Sequence, residues 1–386
     1  MDGGHTTPLI LVGGGPVGTA TAIGLVRAGI PVRLLEARPS LRAADQRTLA
    51  LTQGSREFLE GLGAWPHRGV TPIDEIHVSQ RGRWGQTVLE RDDGTGQALG
   101  YVLLYNTLMA HLDEVARSLP GLSLEMGAEV TEVIPDWSRA TVVWCAAGQE
   151  QRADSPLVLV ADGGRGLTER VFGAPHEKAY DQVALVARVE TDQDVRHRAF
   201  ERFTAQGPVA LLPLEGRYTL IWTGTREVTE ERLAWAESHF LAHLQEVFGD
   251  RAGNFRRVEA RNWFPLSLRV LGSVMRPRCL ALGNAAQTMH PVAGQGLNMG
   301  LRDAATLVDM LRDEQQSDLG SATQLASYVA ARRRDRYGGI GLTHALVTLF
   351  SNDWPILSEG RSMGLAALNA LPWARRTLTR VMSFGF

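Results

Sequence analysis

The sequence is poor in cysteine and has no long hydrophobic run. Its two cysteines, Cys145 and Cys279, each lie in an apolar stretch typical of a strand, which predicts buried free thiols and argues against a disulfide framework or a cysteine-based metal site. This usage favours a reducing cytoplasm. No apolar stretch is long enough to span a bilayer, and no signal-peptide pattern is visible. We therefore expect a cytoplasmic protein.

A charge bias and several common catalytic motifs are also missing. The 40 basic and 42 acidic residues nearly cancel, which gives no indication of nucleic-acid binding. No G-x-S-x-G nucleophile elbow is found, which argues against a hydrolase. His239 and His243 are four residues apart, but the segment HFLAH lacks the glutamate of the zinc proteases. A solvated helix face is favoured over a metal site, and no metal is expected.

Glycine, by contrast, is concentrated near the start of the chain. The segment Gly13–Gly18 has the spacing G-x-G-x-x-G, follows the apolar strand Leu9–Val12 and opens a predicted helix at Pro16. In such a loop Gly13 permits a tight turn, Gly15 permits close approach of a phosphate, and Gly18 permits close packing of the helix on the strand. The helix N-terminus attracts negative charge.

The predicted strand that follows, Pro31–Glu36, ends in a carboxylate shortly after this loop. A glutamate at this spacing is expected to bind the ribose hydroxyls of a dinucleotide. The complete strand–loop–helix–strand unit therefore predicts a dinucleotide site, and the alternative is a plain glycine turn in an α/β protein.

A second glycine-rich segment begins at Ala281 and reads ALGNAAQTMHPVAGQGLNMGLRDA. Its glycines would let a planar ring lie against the backbone, and the predicted helix N-terminus near Gly296–Asn298 would stabilise negative charge on that ring. The alternative is a glycine-rich loop with a packing role. Between the two segments, Asp162-Gly163 follows the apolar strand Leu157–Ala161, at the strand end where ligands bind in open α/β sheets.

The pattern changes from about Tyr180 to Leu266, where alternating strands predict a largely antiparallel sheet inserted into the parallel one. Single helices are predicted over Thr48–Leu62 and over Thr229–Phe248. The predicted division is a discontinuous dinucleotide-binding domain over 1–70, 99–179 and 271–340, an inserted substrate domain over 71–98 and 180–270, and a C-terminal helical segment over 341–386.

The three segments, in this order, resemble those of the class A flavoprotein monooxygenases of the para-hydroxybenzoate hydroxylase type. The family pattern is G-x-G-x-x-G, then a DG motif, then a GD motif that leads to P-x-x-G-Q-G-x-N-x-G. The segments GNAAQTMHPVAGQGLNMGLRD and RAFERFTAQGPVALLPL are similar to those of the ubiquinone-biosynthesis hydroxylases, and among them to the UbiH type, the 2-octaprenyl-6-methoxyphenol hydroxylases. Asn284 and Gln287 replace the aspartate and histidine of the wider family, as in that subgroup.

This resemblance implies an α/β fold with a Rossmann-like FAD-binding domain, an inserted, mainly antiparallel substrate domain and C-terminal helices. It implies that Asp162 serves both FAD and NAD(P)H, and that Asn284 offers only a neutral hydrogen bond. The residues expected to bind FAD are Gly13, Gly15, Pro16, Val17, Gly18, Glu36, Arg38, Arg47, Asn106, Val130, Asp162, Gly163, Gly283, Asn284, Pro291, Gly294, Gly296, Leu297 and Asn298.

The implied activity is hydroxylation of a polyprenylated (methoxy)phenol in ubiquinone biosynthesis by O₂ and NAD(P)H, through a flavin C4a-hydroperoxide. FAD is expected to be non-covalent, and NAD(P)H is expected to bind transiently because only one dinucleotide fingerprint is present. His290 is a candidate catalytic residue near the flavin, and a structural histidine is the equal alternative.

Several alternatives stay open. One is a sister hydroxylase acting on another ring position of the same phenol; others are a non-oxygenating flavin reductase or dehydrogenase and a non-enzymatic nucleotide-binding scaffold. A flavin halogenase is disfavoured because no W-x-W-x-I-P segment is found. The stretch 375–386 mixes arginines with apolar residues, which indicates either a frayed tail partly packed on the protein or a contact with an anionic inner-membrane surface or a ubiquinone-biosynthesis partner protein.

Overall fold

The computed structural model describes residues 7–42, 44–93, 97–164, 166–289, 294–313, 318–350 and 355–385. Among these residues the helices are α1 Pro16–Arg27, α2 Gln53–Gly61, α3 Tyr105–Ser118, α4 Gly166–Phe172, α5 Arg226–Ala234, α6 Glu237–Phe248, α7 Gln295–Asp313, α8 Ala322–Phe350, α9 Pro355–Ala370 and α10 Pro372–Phe384. None of these helices is long and apolar enough to cross a membrane.

The strands of the described ranges are β1 Leu9–Val12, β2 Val32–Glu36, β3 Thr48–Leu51, β4 Val70–Ile73, β5 Glu75–Gln80, β6 Gln86–Glu90, β7 Gly100–Leu104, β8 Leu122–Met126, β9 Glu129–Ile134, β10 Ala140–Ala146, β11 Gln149–Ser155, β12 Val158–Val160, β13 His176–Thr191, β14 Arg198–Thr204, β15 Gly207–Leu214, β16 Arg217–Gly224, β17 Phe255–Val270, β18 Met275–Arg276, β19 Cys279–Ala281 and β20 Gln287–Thr288. The mixture of helices with a parallel and an antiparallel sheet confirms the predicted α/β class.

A mainly parallel sheet carries the N-terminal strand at its centre, in the order β18-β19-β12-β1-β2-β8. Strands β1, β12 and β19 are apolar and buried along their whole length, as expected for strands covered on both faces. Helix α1 packs against α7, and a side chain at Gly24 would come within 2.7 Å of Val308 Cγ2. Glycine thus allows the first helix and the helix after the second glycine segment to pack closely.

A larger sheet has the order β20-β17-β13-β16-β15-β14-β5-β6. Its neighbouring strands are antiparallel except for β5 and β14, which run parallel. On one face Phe200 and Trp222 pack against Phe240 and Phe248 of α6. A three-stranded sheet, β3-β7-β4, lies against the opposite face. The predicted domain boundaries themselves stay a prediction.

The predicted helix over Thr48–Leu62 is wrong in its first part. Residues Thr48–Leu51 form β3, which pairs with β7 through Thr48↔Leu104 and Leu51↔Tyr101. The helix begins after Thr52, whose hydroxyl accepts a hydrogen bond from Ser55 N. A threonine cap ends the extended segment and starts the helix at the same point.

The predicted helix over Thr229–Phe248 is two helices, α5 and α6. Trp235 and Ala236 between them are extended, with ψ of 143° and 152°. The guanidinium of Arg261 donates to Trp235 O at 2.7 Å and to Arg232 O at 3.3 Å. This side chain from β17 satisfies carbonyls that a continuous helix would have bonded itself, so the break is stable.

The C-terminal stretch forms the helix α10, which packs on the protein. Its contact with a membrane or a partner stays a prediction. Helix α10 contacts α2, where a side chain at Gly54 would lie 3.0 Å from Ser383 O. Arg375 Nε forms an ion pair with Asp93 at 2.9 Å. The side-chain amide of Gln295, at the start of α7, donates to Met382 O at 3.3 Å. The end of the chain therefore lies beside the second glycine segment.

Candidate functional site

The loop between β1 and α1 uses its glycines in two different ways. A side chain at Gly13, which has a φ of 103°, would lie 2.4 Å from Ala161 O, and one at Gly18 would lie 2.0 Å from Gly13 O. These two positions are filled by the fold itself. A side chain at Gly15 would meet no atom within 4 Å. Gly15 therefore faces open space, immediately before the first turn of α1.

Within the described residues, no capping side chain pairs the backbone N–H groups of that first turn. Gly15 is the N-cap residue and makes no side-chain hydrogen bond, and Pro16 occupies the first helical position. The N-terminal N–H groups of a helix carry a partial positive charge and bind anions. The open space at Gly15 is therefore suited to a phosphate.

Glu36 lies at the edge of this loop, at the end of β2. Its Oε2 accepts from Gly14 N at 2.5 Å, and its Oε1 accepts from Arg38 N and Arg38 Nε at 2.8 and 2.9 Å. Burial of this side chain opposes ionisation, but the hydrogen bonds and charge of Arg38 and the Gly14 N–H outweigh it and lower the pKa of Glu36. Glu36 is therefore a fixed carboxylate at neutral pH.

Asp162 and Gly163 follow β12 and meet both glycine segments. The Asp162 carboxylate accepts from Gly164 N at 2.9 Å and from Thr168 Oγ1, which ties the loop to α4. Gly163, with a φ of 85°, faces open space, whereas a side chain at Gly164 would lie 2.6 Å from Asn284 O. The structure thus brings the DG turn against the second glycine segment.

Val17, in the first turn of α1, packs against Gly283 and Gly300 of the second glycine segment. A side chain at Gly283 would lie 3.1 Å from Val17 Cγ2, and one at Gly300 would lie 2.7 Å from the same atom. Leu297 is half-buried and packs on the main core, and the side chain of Asn284 is exposed. Residues from three distant parts of the sequence are therefore adjacent.

Asn298 joins the second glycine segment to the connection between β3 and α2. Its Oδ1 accepts from Thr52 N at 2.9 Å and from Ser55 Oγ at 2.7 Å. Its Nδ2 donates to Ala50 O at 2.9 Å and to Gly294 O at 2.7 Å. These four bonds use the side chain fully, so Asn298 positions the loop, while neighbouring Gly296 faces open space.

Arg47 and Asn106 are held side by side at the other end of β3. The Arg47 guanidinium lies 4.4 Å from the centre of the Tyr105 ring and forms an ion pair with Asp45 at 3.0 Å. Asn106 N donates to Asp45 O at 3.1 Å. The Asn106 Oδ1 atom is buried and has no hydrogen-bond partner in the described part of the chain. A buried orphan acceptor of this kind indicates a missing donor.

The remaining predicted residues lie at the edges of this arrangement or outside it. Val130 is half-buried in β9, just after Ala128, whose N–H donates to Glu36 O at 2.9 Å. His290 and Pro291 lie outside the described residues. No group of three or more His, Cys, Asp or Glu that could hold a metal is found in the described ranges.

One ionisable residue of this region was not predicted to have a role. Glu201 lies in β14, on the sheet face that meets β3 and β7. The signal in the sequence is a single carboxylate within alternating strand residues, in RAFERFT. That pattern alone does not reveal which side of the strand faces β3 and β7.

Known proteins share this architecture over nearly their whole length. The family model described as FAD binding domain matches residues 6–336. The crystal structure of p-nitrophenol 4-monooxygenase PnpA from Pseudomonas putida DLL-E4 superposes with a TM-score of 0.79, at 19% identity and with 98% of each chain covered. The fold is therefore that of an FAD-dependent monooxygenase.

Two curated relatives extend the likeness to the sequence. Ubiquinone hydroxylase UbiL of Rhodospirillum rubrum is 34% identical over 384 residues, which covers 96% of this chain and 88% of UbiL. The 3-demethoxyubiquinol 3-hydroxylase of Escherichia coli (strain K12) is 28% identical over 375 residues, 94% of each chain. This chain belongs to the FAD-binding-domain family, in its ubiquinone-biosynthesis hydroxylase branch. It is an FAD-dependent aromatic-ring monooxygenase, which confirms the predicted class.

Proposed function

We propose that this protein hydroxylates a polyprenylated (methoxy)phenol of ubiquinone biosynthesis with O₂ and NAD(P)H. The observation that carries this proposal is the 34% identity to UbiL along almost the entire chain. A sister ring position of the same phenol is the second candidate, because E. coli 3-demethoxyubiquinol 3-hydroxylase matches 94% of the chain as well.

The residues present fit FAD. Gly15, Gly163 and Gly296 each face open space in the three adjacent segments, so a ligand could lie against the backbone at all three without a steric conflict. We assign the pyrophosphate to Gly15 and the start of α1, where the N-terminal N–H groups of the helix can donate to it. We assign the ribose hydroxyls to Glu36, a buried carboxylate that is 7% exposed. Asn106 Oδ1 lacks a donor, and a polar group of the cofactor would supply one.

The other predicted contacts are secondary in this assignment. Arg38 holds Glu36 ionised, and Asp162 fixes the turn at Gly163 through Thr168. Arg47 keeps half of its side chain exposed beside Tyr105, so its charge is free to face a phosphate. Asn298 acts on the cofactor indirectly, because it holds the backbone of Gly294 and Ala50 in place.

The substrate is assigned to the cleft between these loops and the large sheet. FAD bound at the glycine loops would accept electrons from NAD(P)H and support the transfer of one oxygen atom from O₂ to the ring. The chain itself provides a largely apolar sheet face, which includes Val78, Ala210 and Ile221. Such a face binds an apolar ring, and it excludes water from the reacting atoms.

We assign the outward face of α10 to the membrane or partner contact. Trp373 is 68% exposed, Phe384 is 37% exposed, and Arg376 and Arg380 lie on the same exposed stripe of the helix. An aromatic side chain combined with basic residues on one helix face favours an anionic lipid surface, which is where a polyprenyl substrate is found.

The test of the function is oxygen labelling. Purified protein with FAD, NAD(P)H and a prenylated methoxyphenol should consume NAD(P)H faster with substrate than without it, and the new hydroxyl should carry heavy oxygen from labelled O₂. Label derived from water, or substrate-dependent electron transfer without an oxygenated product, would support the reductase alternative. Analysis of the product's ring position separates the two hydroxylase candidates.

A further inference from the structure

Glu201 lies on the face of the large sheet that points toward the FAD-binding part of the chain. Its neighbours in β14 face the other way: Phe200 packs on Phe248, and Arg202 Nε donates to Val247 O at 2.7 Å. Ala199, two residues earlier and therefore on the same face as Glu201, packs with Val102 of β7. Side chains two residues apart on one face of a strand are about 7 Å apart, so Glu201 lies about 7 Å along β14 from the contact between Ala199 and Val102. We call each line of side chains that runs across the strands of this face a row.

The same face leads to the second glycine segment. Thr219 Oγ1, in the row of Ala199, lies 2.8 Å from Thr48 Oγ1 of β3. At the other end of β3, Ala50 O accepts from Asn298. Phe264 of β17, which pairs with Ala184 on this face, is 49% exposed, so the rows beyond Thr219 border open space. Glu201 belongs to the first of those rows.

The cross-strand neighbours of Glu201 are apolar. They are Val78 of β5 and Ala210 of β15, and Ile221 follows beside Ala210. Glu201 has no hydrogen bond or ion pair within the described ranges. Burial, the sole cause, raises the pKa of Glu201 to about 7. The side chain still keeps some accessible surface, as expected where a deep residue lines a cleft.

An unpartnered carboxylate in such a place is costly to the fold, because a charged group loses its hydration there. A carboxylate that is half ionised near neutral pH is, on the other hand, well suited to accept a proton. A structural carboxylate would be paired, as Glu36 and Asp303 are. The position of Glu201 therefore matches the requirements of catalysis better than those of stability.

We propose that Glu201 is the base that accepts the proton of the substrate's phenolic hydroxyl during oxygenation. In this step the phenolic O–H bond breaks, the proton passes to a Glu201 carboxylate oxygen, and the electron pair stays on the ring as a phenolate. The added charge makes the ring carbons ortho and para to the oxygen better nucleophiles toward the oxygen atom supplied from O₂. When the ring regains aromaticity, its carbon-bound proton goes to solvent and the phenolate takes back the proton of Glu201. The assignment rests on the proposed function, since it requires a phenol.

The test compares Glu201→Gln with a matched control, Glu132→Gln, which removes the same charge from an exposed position in β9. Both variants should bind FAD and the prenylated phenol like wild type, because glutamine has the size of glutamate and still accepts a hydrogen bond. Glu201→Gln should lose about 100-fold or more in kcat, as expected for loss of a general base. Glu132→Gln should keep the wild-type rate.

A second comparison varies the substrate. A prenylated phenol with ring fluorines, which is already ionised at the assay pH, needs no base, so Glu201→Gln should regain most of the wild-type rate on it. The wild-type kcat/KM should fall as the pH drops below about 7, where Glu201 becomes protonated, and this acidic limb should vanish in Glu201→Gln. Other ionisable groups on elements packed around this part of the sheet are Arg188 of β13, His344 of α8, and Glu359 and Arg361 of α9.

The outcomes separate the two proposals. If wild type incorporates no oxygen from O₂ into the phenol, the proposed function fails. If wild type does so and Glu201→Gln matches it, or if Glu201→Gln is equally slow on the ionised and the neutral phenol, the function stands and the role of Glu201 is refuted.

Discussion

Replacing Glu201 by glutamine should stabilise the folded protein, and the gain should grow as the pH rises from 4.5 to about 7. An acid whose pKa is higher in the folded than in the unfolded state binds its proton more tightly when folded. The free energy of unfolding therefore falls as the pH rises from the unfolded pKa to the folded pKa. For Glu201 these limits are 4.5 and about 7. The penalty is absent below the lower limit and complete above the upper one.

The size of the penalty follows from the pKa difference. The shift is 7 − 4.5 = 2.5, and at about 1.4 kcal/mol for each pKa unit it corresponds to about 3.5 kcal/mol. Glu201 keeps some accessible surface, so we expect about 2 kcal/mol. Glutamine removes the charge while it keeps the shape of the side chain, so the gain should appear in Glu201→Gln and be absent in the exposed control Glu132→Gln.

The assay is urea unfolding of wild type and both variants, each with the same excess of FAD, from pH 5 to pH 8.5. The excess is kept constant because a bound ligand adds its own stabilisation. The difference between Glu201→Gln and wild type should be small at pH 5, should rise up to about pH 7 and should stay constant above that pH. A difference that is constant across this range, or a variant that is less stable at pH 8.5, would refute the assigned environment of Glu201.

The remaining predictions concern the cofactor and the C-terminal helix. Gly15→Val should fold, because no atom lies within 4 Å of a Cβ at this position, but apo-protein titrated with FAD should show no binding. Gly61→Ala, whose Cβ also meets no atom within 4 Å, should bind FAD normally. Equal FAD affinity in Gly15→Val and wild type would contradict the placement of the pyrophosphate. Glu36→Ala should weaken FAD by roughly 1.5–3 kcal/mol, about 10- to 150-fold, in the same titration; unchanged affinity would remove Glu36 from the ribose site. Trp373→Ala combined with Arg376→Ala should reduce co-sedimentation with anionic vesicles and leave the FAD content unchanged. The double variant should also turn over long-tailed phenols more slowly, with a smaller effect on short-tailed ones. Sedimentation like that of wild type would exclude this helix as the membrane contact.

Much of the site could be predicted because glycine spacing reports a local steric requirement. Gly18 is required by a contact with Gly13 O, five residues earlier, and Gly13 and Gly283 each adopt a positive φ. Such constraints depend on the backbone over short distances, so the sequence pattern reveals them directly. The family resemblance extended this to the cofactor and the reaction class, and the comparisons confirm both.

Other features were decided by contacts between residues far apart in the chain. The segment Thr48–Leu51 is a strand because β7, some fifty residues later, offers it a partner. Asn298 binds Thr52, which is 246 positions away, and so becomes a support for the loop. Glu201 has apolar neighbours because the register of the sheet places Val78 and Ala210 on either side of it. Through-space neighbours set these environments, and the order of residues in the chain does not specify them.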